Sequence, residues 1–262
     1  MKEFKNHTFV ICAYKESEYL EECIKSLLEQ TVKSNIIMET STPNDYIKNM
    51  AKKYNLPLYI NEGEKGIAQD WNYGVSQTKT DYATVAHQDD IYEKNYLEEI
   101  VKYLEKKKDF IIAFTDYREI KNGETIPLNT NLKIKKILLF PLRISKKSKF
   151  AKRFSIAFGS SICCPSVTVN TKILGKTPYE TKLHCNVDWD SWYEMSKVKG
   201  RFLYINKELM KHRIHEESET SNQIKNHGRL EEDLIMFKKF WPTPIANFLM
   251  KYYSKAIKTN KV

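Results

Sequence analysis

The sequence predicts an α/β fold, a mostly parallel sheet flanked by helices, followed by a smaller second region and a basic helical tail. Three observations carry that expectation. Short apolar runs alternate with helical periodicity through the first 115 residues, the pattern of successive βαβ units. Hydrophobic content of 41% with 12% aromatics is that of a globular chain, and no apolar run approaches the roughly 18 residues that a membrane span needs. Third, the fourth apolar run, Tyr82-Ala83-Thr84-Val85-Ala86, ends directly in His87-Gln88-Asp89-Asp90. That order puts titratable groups at the carboxyl edge of the sheet, where open α/β sheets bind ligands.

Phe9-Val10-Ile11-Cys12-Ala13 is the first strand. Leu20, Cys23, Ile24, Leu27 and Leu28 fall at i, i+3, i+4, i+7 and i+8, one apolar face of a helix that Ser17 is placed to cap, with Glu18, Glu21 and Glu22 near its positive end. Asn35-Ile36-Ile37-Met38 is the second strand, Pro43 opens a helix through about Tyr54, and Leu58-Tyr59-Ile60 is the third strand. A helix with Ile67, Trp71 and Val75 on one face leads to the fourth strand. Tyr96, Leu97, Ile100, Val101 and Leu104 line another helix, followed by the strand Phe110-Ile111-Ile112-Ala113-Phe114.

After Asp116 the alternation weakens. A turn is expected at Lys121-Asn122-Gly123, a strand at Ser166-Val167-Thr168-Val169, and a helix from about Asp188 to Lys199 that stops at Gly200. Arg201-Phe202-Leu203-Tyr204-Ile205 reads as a strand, and Leu230 to Phe240 as a helix closed by Trp241-Pro242. The net charge of +10 is segmental. Residues 133–153 carry nine Lys or Arg and no acid, residues 251–262 carry four Lys and no acid, and the remainder stands at −3. Segmental charge fits attraction to one anionic surface better than a uniformly basic nucleic-acid binder. Five cysteines without a Cys-x-x-Cys pair argue against both a disulfide framework and a thiolate zinc site. The start, Met1 to His7, carries no cleavage signal, so the cytoplasm is the expected compartment.

Asp89 and Asp90 admit two readings. Hard divalent cations such as Mg²⁺ or Mn²⁺ prefer carboxylate oxygens and keep positions open for water and substrate phosphates. Equally, two acids can open the helix that follows, favoured by its dipole.

Together these residues resemble the inverting family 2 glycosyltransferases of the GT-A (Rossmann-like) fold, from about Phe9 to His215. The family's turn after its first strand is matched by Ala13-Tyr14-Lys15-Glu16, and its first helix by Tyr19 through Thr31. Its Asp-x-Asp-Asp motif is matched by His87-Gln88-Asp89-Asp90, its Glu-Asp pair near the acceptor by Val187-Asp188, and its Tyr-Arg-x-His element by His212-Arg213-Ile214-His215. Three departures stand out: His87 and Val187 replace acids, and the Asp-rich turn after the second strand is Glu39-Thr40-Ser41-Thr42.

The resemblance implies a metal-dependent transfer of a sugar from a nucleoside-diphosphate donor, a UDP-sugar first, to a hydroxyl of a saccharide or lipid-linked acceptor in cell-surface polysaccharide synthesis. It makes Asp89 the first metal ligand with His215, places His87 and Asp90 about the metal, ribose or sugar, and makes Asp188 the base, with Asp190 competing. Ala13, Tyr14 and Glu16 would lie near the nucleoside, Glu39 or Thr40 near the base, and Lys65 and Asn72 along the nucleotide pocket. The implied organisation is a nucleotide-sugar half over 1–115, an acceptor-side half over 116–215, and a helical tail over 216–262. Trp189 and Trp192 would either floor a sugar site or sit in the core.

Other functions remain open at this level. A nucleotidyltransferase shares a metal and nucleotide site at a sheet edge but needs a Gly-rich basic loop where this chain has Ala13-Tyr14-Lys15-Glu16. A non-catalytic module binding anionic lipid or nucleic acid would explain the charge, although the aromatics are not interleaved with the cations as in a single-strand platform. The segment from Lys133 to Arg143 mixes cations with the bare run Ile137-Leu138-Leu139-Phe140. It suits either a membrane surface, with Phe248 to Tyr253 as a second contact, or a helix packed on the protein's own body.

Overall fold

The computed structural model describes residues 2–104, 106, 109–215 and 228–259. Residues 216–227 and 260–262 of the expected tail lie outside the described residues. The elements run β1 (Lys2–Cys12), α1 (Leu20–Leu28), β2 (Val32–Thr40), α2 (Asp45–Lys53), β3 (Leu58–Ile60), α3 (Ile67–Ser76), β4 (Tyr82–His87), β5 (Ile91–Tyr92), α4 (Tyr96–Leu104) and β6 (Phe110–Lys121). They continue with β7 (Glu124–Thr125), α5 (Thr130–Ile144), α6 (Lys149–Ile156), β8 (Val167–Asn170), α7 (Thr171–Leu174), α8 (Val187–Lys197), β9 (Arg201–Arg213), α9 (Gly228–Phe240) and α10 (Thr243–Thr259).

One nine-stranded sheet, ordered β3-β2-β1-β4-β8-β6-β9-β5 with β7 hairpinned onto β6, spans both halves of the chain. β3, β2, β1 and β4 are parallel neighbours, as are β6 and β9, while β8 runs antiparallel between β4 and β6. The parallel run follows from the helical crossovers, which return the chain to the same sheet edge.

Strand alternation gives each face its own core. Phe9, Ile11, Ala13, Tyr82, Ala86, Phe110 and Ala113 join α1, α2 and α4 on one face. Ala83, Val85, Ile111, Ile112 and Phe114 join α3, α8 and the C-terminal helices on the other. Trp189 and Trp192 belong to that second core, so they do not floor a sugar site. Two glycines are sterically required. A Cβ on Gly74 of α3 would come within 2.5 Å of Val10 Cγ1 and 2.8 Å of Glu39 Cγ, and Gly200, at φ +142°, turns α8 into β9 with Asp109 O only 2.6 Å from where its Cβ would be.

Two local expectations are corrected. Helix α1 opens at Leu20, not after Ser17, whose hydroxyl instead accepts the Tyr19 N–H at 3.3 Å. The strand expected over 201–205 continues to Arg213, because β6 extends to Lys121 and gives residues 208–213 a parallel partner. Among the described residues no disulfide links the cysteines.

Candidate active site

The site forms where β1 and β4 end side by side, Cys12 registering with His87. Gln88 locks the two ends together: its Oε1 accepts the Tyr14 N–H and its Nε2 donates to Tyr14 O, both at 2.9 Å. The β1 turn is tied in the same way to the β2 turn, with Lys15 N–H donating to Thr42 Oγ1 at 2.7 Å. Ala13 is buried at the root of this turn, while Tyr14 and Glu16 stand in solvent.

His87, Asp89 and Asp90 offer ligand atoms that all lie within 4.8 Å of one another. Asp90 is fully buried. Its Oδ1 accepts from His212 Nδ1 at 3.0 Å and from the Arg213 backbone N–H at 2.9 Å, while its Oδ2 has no hydrogen-bond partner among the described residues. His215 Nε2 donates to Asp89 Oδ2 at 2.9 Å, and Arg213 Nε donates to Asp89 O at 2.9 Å. A carboxylate has only acceptors to offer, which fixes the imidazole proton on the nitrogen facing it in each pair. The two-residue strand β5, paired with Met210 and Lys211 of β9, holds the acid loop against this second strand.

The electrostatics sort the groups. Burial lowers His87 below its ordinary pKa, keeping the ring neutral, and its Nε2 is buried without a partner. Burial also opposes charge on His212, but the Asp90 carboxylate beside it prevails and pushes the ring up to about 9. Burial would raise Asp89, yet the His215 hydrogen bond and the surrounding imidazoles hold it below the usual carboxylate range. The Trp71 indole lies stacked on His87, with centroids 5.2 Å apart at 23°. A neutral imidazole and an orphaned carboxylate oxygen, both buried and close to a second carboxylate, are a donor set that fits a divalent cation.

Asp188 stands in the first turn of α8. Its Oδ1 accepts the Trp189 N–H at 2.7 Å, its Oδ2 accepts from Ser160 Oγ at 2.9 Å, and its charge acts on His87. Asp190 lies about 200° further round the helix, buried and ion-paired with Lys239 of α9. The structure therefore gives the two acids different surroundings.

Three residues expected near the donor lie in buried surroundings. Glu39 is buried beside Cys12 and below α3, with Oε2 unpartnered, and burial pushes it up to about 8. Thr40 is buried, its hydroxyl accepting the Thr42 N–H. Asn72 spends both ends of its amide on the Tyr179 backbone, at 2.8 and 2.9 Å. Thr40 and Asn72 are thus engaged within the fold, while Glu39 keeps a buried oxygen without a partner among the described residues. Lys65 is exposed beside Gly66, at the start of α3. The sequence reading missed Trp71, Gln88, His212, Arg213 and Ser160. The residues at 88, 212 and 213 sat inside quoted motifs and Trp71 was read as part of the apolar face of its helix, whereas nothing local marked Ser160.

Comparison with known proteins agrees with this architecture. The chain is 29% identical over 224 residues to an uncharacterized glycosyltransferase of Methanocaldococcus jannaschii, covering 82% of this chain and 73% of the relative. Among solved structures it resembles a mannosyltransferase of Pyrobaculum calidifontis in complex with GDP-Man and Mn²⁺, at TM-score 0.66 and 12% identity over 95% of this chain and 70% of that one. It also resembles residues 1–349 of S. aureus TarS in complex with UDP-GlcNAc, at TM-score 0.65 and 14% identity over the same shares, 95% and 70%. The shared fold is the GT-A arrangement. The family described as Glycosyl transferase family 2 matches residues 8–174; the chain belongs to that family, and it is a glycosyltransferase.

Proposed function

We propose that this glycosyltransferase is metal-dependent and inverting, and that it moves a sugar from a nucleoside diphosphate, a UDP-sugar in the first instance, to a hydroxyl of a saccharide or lipid-linked acceptor in cell-surface polysaccharide synthesis. The observation that carries the reading is the His87, Asp89 and Asp90 cluster, in which Asp90 Oδ2 and His87 Nε2 are buried without a hydrogen bond among the described residues. Asp89, Asp90 and His87 would hold the cation, Mn²⁺ or Mg²⁺, with His215 orienting Asp89 or joining it. Once bound, the cation would neutralise charge on the departing diphosphate. Solved structures of the same fold supporting this include the mannosyltransferase with GDP-Man and Mn²⁺.

In this reading Asp188 takes the proton of the acceptor hydroxyl as the new C–O bond forms, because an alcohol is too weak an acid to ionise unaided. Ser160 and the Trp189 N–H hold its two oxygens in place. A single base and a direct displacement invert the anomeric centre. Protonated His212 and the Arg213 N–H hold the Asp90 carboxyl in place, while Ala13, Tyr14, Glu16 and Lys65 line the approach to the nucleoside. The basic segment 133–153 attaches the enzyme to the cytoplasmic face of a membrane.

Isothermal titration of UDP and GDP with and without Mn²⁺, on wild type and Asp89→Ala, tests the donor site. The expected result is Mn²⁺-dependent binding of one nucleotide that the substitution removes; binding by Asp89→Ala equal to wild type would overturn the assignment.

A further inference from the structure

At the opposite end of the sheet from Asp89, where β6 and β9 begin, lies a cavity of about 540 Å³ lined by Lys147, Lys149, Lys152, Lys197 and Lys199 against the lone acid Asp109. Five residue steps along β4 separate the level of Tyr82 from His87, about 17 Å at 3.3 Å per residue, so this cavity is distinct from the donor site. Its acid is already committed: Asp109 accepts from Lys147 at 2.7 Å and from Arg201 at 2.8 Å. Lys152 is buried and donates to Val198 O at 2.7 Å, and Lys197 pairs with Glu194. Lys149 and Lys199 form no ion pair among the described residues. A concavity lined by five lysines and one acid carries a net positive field, and among the described residues Lys149 and Lys199 have no carboxylate to answer them.

The same corner is apolar on its outside. Ile137, Phe140 and Ile144, at i, i+3 and i+7 of α5, are 70%, 51% and 76% exposed, and Phe150, which directly follows Lys149 in α6, is 74% exposed. Lys133, Arg143 and Lys147 flank them in solvent. A helix on a soluble surface turns charge outward, whereas one lying in a lipid interface turns apolar residues outward between cations.

We propose that the junction of α5 and α6 is a docking site for an anionic phospholipid bilayer, the lysine-lined cavity receiving a headgroup phosphate while Ile144 and Phe150 enter the interface. A soluble phosphate or a nucleic acid would account for the cations and leave the isoleucine and phenylalanine side chains unexplained. An apolar protein partner would leave the lysine cavity unexplained. Only an anionic bilayer presents both chemistries to one corner. Helix α5 and its flanks run from the capping Asn129, bonded to Glu119 of β6, past Lys136, which pairs with Asp116 and Glu208, to Lys146 beyond the helix end, whose carbonyl accepts the Phe202 N–H. It therefore lies alongside β6 and β9 from the active-site end to the cavity, and docking along it lays the strands parallel to the membrane. This inference deepens the membrane attachment proposed above and is independent of the transfer chemistry.

Flotation of the full chain with vesicles of phosphatidylcholine, with and without phosphatidylglycerol, tests it. Wild type is expected to float only with the anionic vesicles. Lys149→Ala/Lys199→Ala should weaken partitioning about 30-fold, from about fivefold per lysine near an anionic surface, and Ile144→Asn/Phe150→Asn should also lose the vesicles, both with unaltered circular dichroism. If the lysine variant floats like wild type, the headgroup cavity is refuted while attachment stands; if wild type fails to float, attachment itself falls and takes the cavity with it. Glycerol phosphate in solution binding as tightly as the vesicles would make the cavity a free-phosphate site and overturn the proposal.

Discussion

Substituting Asp188 and Asp190 by asparagine, one at a time, should produce opposite failures. Asp188 meets two donors, Ser160 Oγ at 2.9 Å and the Trp189 N–H at 2.7 Å. An asparagine keeps one acceptor oxygen, and the serine hydroxyl can reverse to accept from the amide, so the cost in stability should stay within about 1 kcal/mol. What disappears is basicity. Loss of a general base costs roughly 10²- to 10⁴-fold in turnover, or about 3–5 kcal/mol of barrier. Asp190 is 1% exposed and neutralises Lys239, which is 25% exposed. Removing its charge strands a largely buried ammonium at a cost of about 3 kcal/mol, a fall in Tm of roughly 6–12 °C for a chain of this size. The assays are nucleotide release with the donor identified by titration, and scanning calorimetry on the same preparations. Asp188→Asn turning over within tenfold of wild type, or Asp190→Asn inactive at an unchanged Tm, would refute the division of roles.

Other consequences are equally specific. His7 is buried, bonded to Thr84 and Ser34 at 2.9 and 3.0 Å, and burial lowers it to about 3. The unfolded ring protonates near 6.5 and the native one does not, so stability falls by up to about 1.4 kcal/mol per unit as pH drops from 6.5 toward 3; in urea titrations His7→Gln should flatten that acid limb. Glu39, raised to about 8, works in the other direction, because its native form holds a proton that the unfolded chain releases near 4.5. Stability should therefore decline as pH rises from 4.5 to 8, and Glu39→Gln should abolish the decline. Gly74→Ala inserts a Cβ 2.5 Å from Val10 and should cost about 1–3 kcal/mol by overpacking, measurable as a lower urea midpoint.

The first half of the chain was legible because its strands and helices are local and strongly periodic. Leu58–Ile60 and Tyr96–Leu104 coincide with the expected elements. The second half was less so: Asn206, Lys207 and Glu208 interrupt any alternation, and β9 persists through them only because β6 lies beside it. The titratable groups of the site were visible as letters, but not their partners. Lys239 meets Asp190 across 49 residues, and His212 meets Asp90 across 122. Asn72 shows the same limit, since the Tyr179 backbone that occupies its amide lies 107 residues away. The outward isoleucines of α5 could be counted in the sequence, while their exposure depended on which face the sheet took.

The bond between Asp90 and the Arg213 backbone spans 123 residues, and it orders events during synthesis. At about 5–20 residues per second, a nascent chain that has just released its acid loop waits roughly 6–25 s for the strand that completes it. Through that interval β1 to β4 can pair, yet Asp90 has neither His212 nor Arg213 to answer its charge. The candidate cation site therefore takes its final form only after β1 to β4 have been made, once Arg213 has emerged.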